Sequence, residues 1–260
     1  MNILKSFQIL ASDYDGTLRK NGVIDPRDLE SIAKFRQAGH LFGIITGRAY
    51  NMIINELNHY GISVDFLICN NGSVIYDASG HSLYHVTIDF QLAMDLMAWL
   101  DKEEAALFGV TGDKSYFAQV NPGFIRQPSV NAIIQPMVST KEEVLKSQKI
   151  TAFFTRKNNL ELIIDLGNRI EEAFGSRFGL HQNRGTIDIG PLGISKSTAI
   201  SALQEIYPQT HITVIGDDLN DIEMVRDFDG YGIIGGHEEL IKVAKHLVHD
   251  ISECMNNLMK

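Results

Sequence analysis

The apolar residues of this chain fall into short runs that alternate with stretches of helical period, with turn residues between them. Residues 7–12 read as a buried strand that stops at Asp13-Tyr14-Asp15-Gly16-Thr17. Asp25 is then an N-cap, Pro26 takes the first helical position, and Asp28 stands three residues after the cap. Leu29, Ile32, Ala33 and Arg36 share one face of this helix, which Gly39 ends. Leu41-Phe42-Gly43-Ile44-Ile45 is a second strand, closed by Thr46-Gly47-Arg48. A helix covers about 49–59, and Phe66-Leu67-Ile68-Cys69 is a third strand ending in Asn70-Asn71-Gly72. Strands and helices alternating over short connections predict a parallel sheet wrapped by helices.

The alternation then breaks. Val74-Ile75-Tyr76 and residues 82–86 flank the turn at 77–81 as a hairpin. The spacing predicts a helix over 89–104, strands at 105–110, 115–120 and 149–155, a helix at 159–174, and strands at 178–182 and 186–189. Residues 121–148 carry no clear period. Paired strands with interleaved helices indicate an antiparallel α+β unit. From Ile194 the alternation returns: a helix at 195–207 and a strand at 211–215 that ends at Gly216-Asp217-Asp218. A helix to about 227, a strand at 231–234, a helix at 237–245, a strand at 246–249 and a terminal helix complete the chain. The expected fold class is α/β, with a parallel-sheet core (residues 1–82 and 187–260) interrupted by an inserted α+β domain (residues 83–186).

Charge sharpens this division. The 260 residues carry a net charge of -9, yet the segment 83–186 holds 11 basic and 12 acidic side chains, against 12 and 20 in the rest. Nearly all the excess acid belongs to the two ends of the chain. An acidic balance argues against a nucleic-acid binder or a protein held on anionic membranes, both of which need basic surface. No run approaches the ~18 apolar residues of a transmembrane helix. The run Phe7–Ala11 has neither the length nor the cleavage site of a signal peptide. Cys69 and Cys254 make no disulfide framework and fit a reducing cytoplasm, the expected location. The nine histidines, dispersed from His40 to His249, show no metal-ligand spacing. Oligomeric state is left open.

Ligands of an open parallel sheet bind beyond the carboxyl ends of its strands. The first strand delivers Asp13 and Asp15 there, the second Thr46, Gly47 and Arg48, and the strand at 211–215 delivers Asp217, Asp218, Asn220 and Asp221. Lys196 starts the helix that precedes that last strand. Crowded carboxylates repel one another unless a cation joins them, and a hard ion such as Mg2+ takes oxygen ligands. Asp13 and Asp217 are the natural side-chain ligands, with the Asp15 carbonyl as another. At strand period Asp13 and Asp15 point to one side and Tyr14 away, so one carboxylate can attack while the other handles a proton. Thr46 and nearby amides can hold phosphoryl oxygens, and Lys196 can balance developing charge.

These residues resemble, in order, the four motifs of the haloacid dehalogenase superfamily: Asp13-Tyr14-Asp15-Gly16-Thr17, Thr46-Gly47-Arg48, Lys196, and Gly216-Asp217-Asp218-Leu219-Asn220-Asp221. Asn70-Asn71-Gly72-Ser73 and Asp188-Ile189-Gly190-Pro191 are similar to its Cof-type subfamily. The resemblance spans essentially the whole chain and implies a Rossmann-like core, Mg2+ and an aspartyl-phosphate intermediate. Carried over, it makes Asp13 the nucleophile and Asp15 the acid and base. Asp13, the Asp15 backbone and Asp217 become the metal ligands, and Asp221 steadies the metal shell. Thr46, Lys196 and Asn220 fall to the phosphate and its surroundings; beside this carry-over, Gly47 and Arg48 are substrate-binding candidates from their place after the second strand, and Asn71 is a candidate for shaping the site. An aspartate at position 15 points to phosphatases and phosphomutases rather than to the dehalogenases or ion pumps of the superfamily. Only 28 residues separate Thr17 from Thr46, while 124 separate Asn71 from Lys196. The insert therefore follows the third strand, and its mixed strands and helices resemble the C2B cap common among sugar-phosphate phosphatases. The expected partner is a small phosphorylated metabolite. A phosphomutase, a phosphatase of a cofactor phosphate such as pyridoxal phosphate or a flavin precursor, and more remotely a receiver-type phospho-acceptor module are the alternatives. Cap residues Arg126, Arg156, Arg184 and Tyr116 are candidates for reading the leaving group.

Overall fold

The structure is a computed structural model that describes residues 7–103, 107–111, 115–118, 139–156, 160–183, 186–208 and 210–260. Its first part contains β1 (Gln8–Asp13), β2 (Arg19–Lys20), β3 (Val23–Ile24), α1 (Pro26–Gln37), β4 (Leu41–Ile45), α2 (Tyr50–Tyr60), β5 (Phe66–Cys69), β6 (Val74–Asp77) and β7 (Ser82–His85). The middle contains α3 (Phe90–Lys102), β8 (Leu107–Thr111), β9 (Ser115–Ala118), α4 (Lys141–Lys146), β10 (Ala152–Arg156), α5 (Leu160–Phe174), β11 (Phe178–Asn183) and β12 (Thr186–Pro191). The last part runs α6 (Lys196–Ile206), β13 (His211–Gly216), α7 (Ile222–Asp227), β14 (Asp229–Ile233), α8 (Glu238–Val243), β15 (His246–Val248) and α9 (Ile251–Leu258).

Eight strands form one sheet in the order β15-β14-β13-β1-β4-β5-β6-β7. Pairing is parallel from β15 to β5 and antiparallel for β6 and β7. The first and last parts of the chain thus share a sheet, and β1 lies between β4 and β13. Alternate β1 residues serve opposite faces, as the strand period requires. Leu10 packs with Phe35, Ile53 and Met255, while Ile9 and Ala11 pack with Ala199, Leu203 and Met224. Burial on both faces explains why β1 reads as an unbroken apolar run. In register, Ser12 faces Ile215 and Asp13 faces Ile45, so these three strands end at nearly one level.

A second, antiparallel sheet has the order β11-β12-β10-β8-β9. Phe153, Ile187 and Ile189 pack from it against Leu96 and Leu100 of α3 and Ile163 and Leu166 of α5. Asp188, between the two isoleucines, lies on the opposite face. All of β12 pairs within this sheet, including residues beyond the junction expected at 186/187. Among the described residues no helix is long and apolar enough to cross a membrane.

Four local expectations change. The α1 face is not Leu29, Ile32, Ala33 and Arg36: Asp28, Ser31, Ile32 and Phe35 are buried and Ala33 is exposed. Polar contacts displaced the stripe, because Asp28 Oδ1 accepts from Ser252 N at 2.8 Å and Ser31 Oγ lies 2.8 Å from Ser252 Oγ, docking α9. The β2–β3 hairpin after Thr17 was not expected; Asn21 and Gly22 supply its two positive-φ positions (51° and 83°). Helix α4, closed by a Thr140/Glu143 capping box, occupies part of the unassigned stretch. Strand β14 begins at Asp229 rather than 231. Arg126 and Arg184 lie outside the described residues.

Burial pushes the Asp28 carboxyl up to about 6, opposed by the hydrogen bond from Ser252. The folded state binds this proton more tightly than the unfolded chain does. Its contribution to stability is complete below about pH 4 and is lost as the pH rises through 6. Asp28→Asn stays neutral and keeps an acceptor for Ser252. Its Tm should exceed that of the wild type by about 3–6 °C at pH 7.5, with the gap closing toward pH 4.5 in calorimetry. A variant less stable than wild type at pH 7.5 would overturn this account.

Candidate active site

Asp13 is the last residue of β1 and 6% exposed. Lys196, 1% exposed, opens α6, whose N-terminus Ser195 caps. Its Nζ donates to Asp13 Oδ1 at 2.7 Å and to Asp221 Oδ1 at 2.6 Å. Burial works against the ammonium, but Asp13 and then Asp221 outweigh it and raise the lysine above its ordinary range. The other oxygen of Asp221 accepts from the amides of Asp217 and Asp218, at 3.0 and 3.1 Å, and so folds the loop leaving β13. Asp217 in turn leans on the loop leaving β1. Thr17 Oγ1 donates to Asp217 Oδ1 at 2.8 Å, and Gly16 (φ +104°) lies so close that a Cβ there would sit 2.2 Å from Asp217 Oδ2. Only glycine fits.

The carboxylates of Asp13, Asp217 and Asp221 each place an oxygen within 4.8 Å of the others. Burial pushes Asp13 well above the usual carboxylate range; Lys196 opposes this, and Asp221 and Asp217 add to it. Asp217 is pushed up to about 6, by burial first and Asp221 second. One ammonium does not balance three acids, so the donor set, all hard oxygens, suits a small divalent cation. Both oxygens of Asp221 are already held by Lys196 and the loop amides, which leaves Asp13 and Asp217 as the better donors.

Asp15 is elsewhere in the site. Its side chain is 45% exposed, and Arg48 Nε and Nη2 each reach it at 2.6 Å. Arg48 Nη1 also donates to Glu56 Oε2 at 2.9 Å, and the guanidinium lies 5.1 Å from the Tyr14 ring centre. Arg19 adds ion pairs to Asp15 at 3.5 Å and to Glu56 at 3.7 Å. Arg48, expected at the substrate, grips the neighbouring acid in this structure. Thr46 is buried where β4 ends, its amide bonded to Ile68 O and its hydroxyl accepting from Arg48 N at 3.1 Å.

Asn71 gathers three loops. Its Nδ2 donates to Asp188 Oδ2 at 2.8 Å, and its Oδ1 accepts from Asn220 Nδ2 at 3.0 Å. Gly47 lies against both Asp188 and Asn71, where a Cβ would come within 2.7 Å of Asp188 Oδ2. Beyond Asn220 a cleft of about 470 Å3 runs between β11 and residues 219–223, lined by His181, Gln182, Ser195, Asn220 and Glu223 among others.

All ten expected site residues thus surround the carboxyl ends of β13, β1, β4 and β5. Thr17, Arg19, Glu56 and Asp188 join them without having been assigned roles. For Glu56 the signal was a charged residue at an apolar-period position of α2, buried beside Ile53 and Leu57. Cys69 and Cys254 are both buried, and burial pushes their thiols up, consistent with packing.

A mostly parallel sheet with a lysine-bridged acid cluster at its carboxyl edge places the chain among α/β folds that gather ligands beyond their strand ends. A family model for haloacid dehalogenase-like hydrolases matches residues 10–254, and the chain belongs to that family. An uncharacterized protein of Mycoplasma capricolum is 30% identical over 94% of this chain and 97% of its own length. The pyridoxal phosphate phosphatase YbhA of Escherichia coli is 22% identical over 93% of this chain and 92% of its own. Among solved structures, a HAD/COF-like hydrolase from Plasmodium vivax superposes with a TM-score of 0.84 at 18% identity, covering 98% and 96%. A HAD subclass IIB sugar phosphatase gives 0.78 at 16% identity, covering 97% and 99%.

Lys196→Met keeps an unbranched side chain one atom shorter but leaves buried Asp13 and Asp221 without the ammonium between them. Losing one partner of a buried ion pair costs about 3–5 kcal/mol, so Tm should fall by about 10 °C. The deficit should shrink from pH 8 to pH 5 as Asp13 takes up a proton. A Tm equal to wild type at pH 8 would show that the lysine does not hold the acids together.

Proposed function

We propose that this HAD-family hydrolase is a Mg2+-dependent phosphatase of small phosphorylated metabolites, sugar phosphates first among them. The observation that carries the reading is the buried Asp13–Lys196–Asp221 triad with Asp217 beside it, in a chain whose family relatives include named phosphatases. Asp13, Asp217 and the Asp15 carbonyl would hold the ion. When bound, it supplies positive charge that offsets the phosphoryl oxygens and the carboxylates.

Lys196 holds Asp13 Oδ1, which makes Oδ2 the oxygen proposed to attack. Asp13 attacks phosphorus, the P–O bond to the leaving alcohol breaks, and Asp15 gives that oxygen a proton. Asp15 then takes a proton from water, whose oxygen attacks the aspartyl phosphate, and phosphate leaves with Asp13 restored. Serving as the acid requires Asp15 to hand one oxygen over from Arg48, while Glu56 keeps the guanidinium in place. The Thr46 hydroxyl and Gly47 amide hold phosphoryl oxygens. The second sheet, with α3 and α5 behind it, acts as the cap over the leaving group, and the cleft by Asn220, His181 and Glu223 gives a polyol polar partners.

Phosphate release from a panel of sugar, nucleotide and cofactor phosphates tests the reading. Asp13→Asn should abolish turnover, and Asp15→Asn should slow it by about 10²–10⁴-fold. Full metal-dependent activity in Asp13→Asn would refute the mechanism. Mg2+ should also raise Tm at pH 7.5, less so at pH 5, where Asp217 is protonated and binds the ion weakly. Equal Tm shifts at both pH values would remove Asp217 from the ligand set.

A further inference from the structure

Asn70 and Asn71 follow β5 with left-handed backbones, φ 52° and 51°, and both are buried. Successive L residues avoid this region, and asparagine tolerates it best among the branched side chains. Such conformations persist only where their surroundings hold them. Here the hold comes from two directions. Asn70 N donates to Arg48 O and Asn71 N to Thr46 O, both at 3.0 Å, so the two amides grip both ends of the Thr46–Arg48 loop. Their side chains reach the second sheet. Asn70 Nδ2 donates to Thr151 Oγ1 at 2.8 Å, just before β10, and Asn71 Nδ2 to Asp188 Oδ2 at 2.8 Å on β12. Strands β10 and β12 are paired neighbours, so one asparagine is fastened to the residue leading into β10 and the other to the strand beside it. Thr151 is fully buried and lies in none of the loops assigned to catalysis.

We propose that Asn70 and Asn71 are positioning residues that transmit the seating of the second sheet to the Thr46–Arg48 loop. A leaving group held on the second sheet is thereby coupled to phosphoryl transfer at Asp13. The proposal rests on the phosphatase reading, in which the core holds the phosphoryl group and the second sheet covers the rest of the substrate. A phosphoryl donor large enough to touch the second sheet then depends on the fastening. A donor with a very small leaving group does not.

Thr151→Val removes the acceptor at nearly constant shape, and Thr151→Ser restores it. Asn70→Gly keeps the left-handed backbone while deleting the side chain. With Mg2+ present, Thr151→Val and Asn70→Gly should lower kcat/KM for a hexose 6-phosphate by roughly five- to tenfold, the scale of one buried hydrogen bond. Turnover of acetyl phosphate should stay within about twofold of wild type. Thr151→Ser should match wild type on both donors. Equal losses on the two donors, or none on the hexose phosphate, would overturn the coupling. Hydrogen exchange reads it without activity: Thr151→Val should speed exchange at the Asn70 and Asn71 amides at least about fivefold, with β13 unchanged. Unchanged exchange at those two amides would also overturn it. If wild type hydrolyses neither donor, the phosphatase reading fails, and the exchange result alone decides whether the asparagines couple sheet and loop.

Discussion

A buried ammonium fixes the centre of this molecule. Lys196 is almost completely excluded from water, and an unpaired charge there would cost several kcal/mol. Two carboxylates meet it, and their positions dictate much else. Asp13 must end β1, Asp221 must stand in the turn after β13, and α6 must start where its first residue reaches both. The parallel pairing of β1 with β13 brings residues 183 and 25 positions from Lys196 to one point. Neither acid can move alone, because Asp221 also ties down the amides of Asp217 and Asp218.

That arrangement leaves a surplus of negative charge. Two acids satisfy the lysine, and Asp217 is a third, held against Gly16 and Thr17. Burial and mutual repulsion then raise Asp13 and Asp217, and raised carboxyls are the mark of a site that a cation would complete. Part of the excess acid in the two ends of the chain is thus local equipment. A net charge of -9 weighs against polyanionic partners in general. It does not prevent a small anion from binding where a lysine and loop amides meet, beside acids that a divalent ion would neutralise.

The strand ends were legible because a parallel sheet buried on both faces needs unbroken apolar runs, and the polar residues that end them stand out. Asp13, Thr46 and Asp217 are read this way, and their order along the chain does the rest. What stayed hidden depends on contacts between distant segments. Asp28 and Ser31 look like solvent positions on an amphipathic helix until Ser252, more than 200 residues on, gives each a partner. Glu56 breaks the apolar period of α2, yet only the fold shows that Arg48 and Arg19 converge on it. Arg48 was legible as a loop residue, but its contacts with Asp15 and Glu56 were not, because a sequence gives a residue's location sooner than its partner.

The same limit bears on selectivity. The acid cluster is built from side chains close in space to strand ends, so a short pattern encodes it. Contacts to a leaving group would come from the open face of the second sheet, where Asp188 alternates with the buried Ile187 and Ile189. Strand period tells which residues occupy that face, but an antiparallel register must be known before any two become neighbours. Pairing of Phe154 with Asp188 and of Asp188 with His181 sets one row across the sheet. Asp188 belongs to that row and also reaches Asn71 beside the Thr46–Arg48 loop. A residue with one foot on each sheet is where the chemistry common to the family meets the face that would distinguish this member.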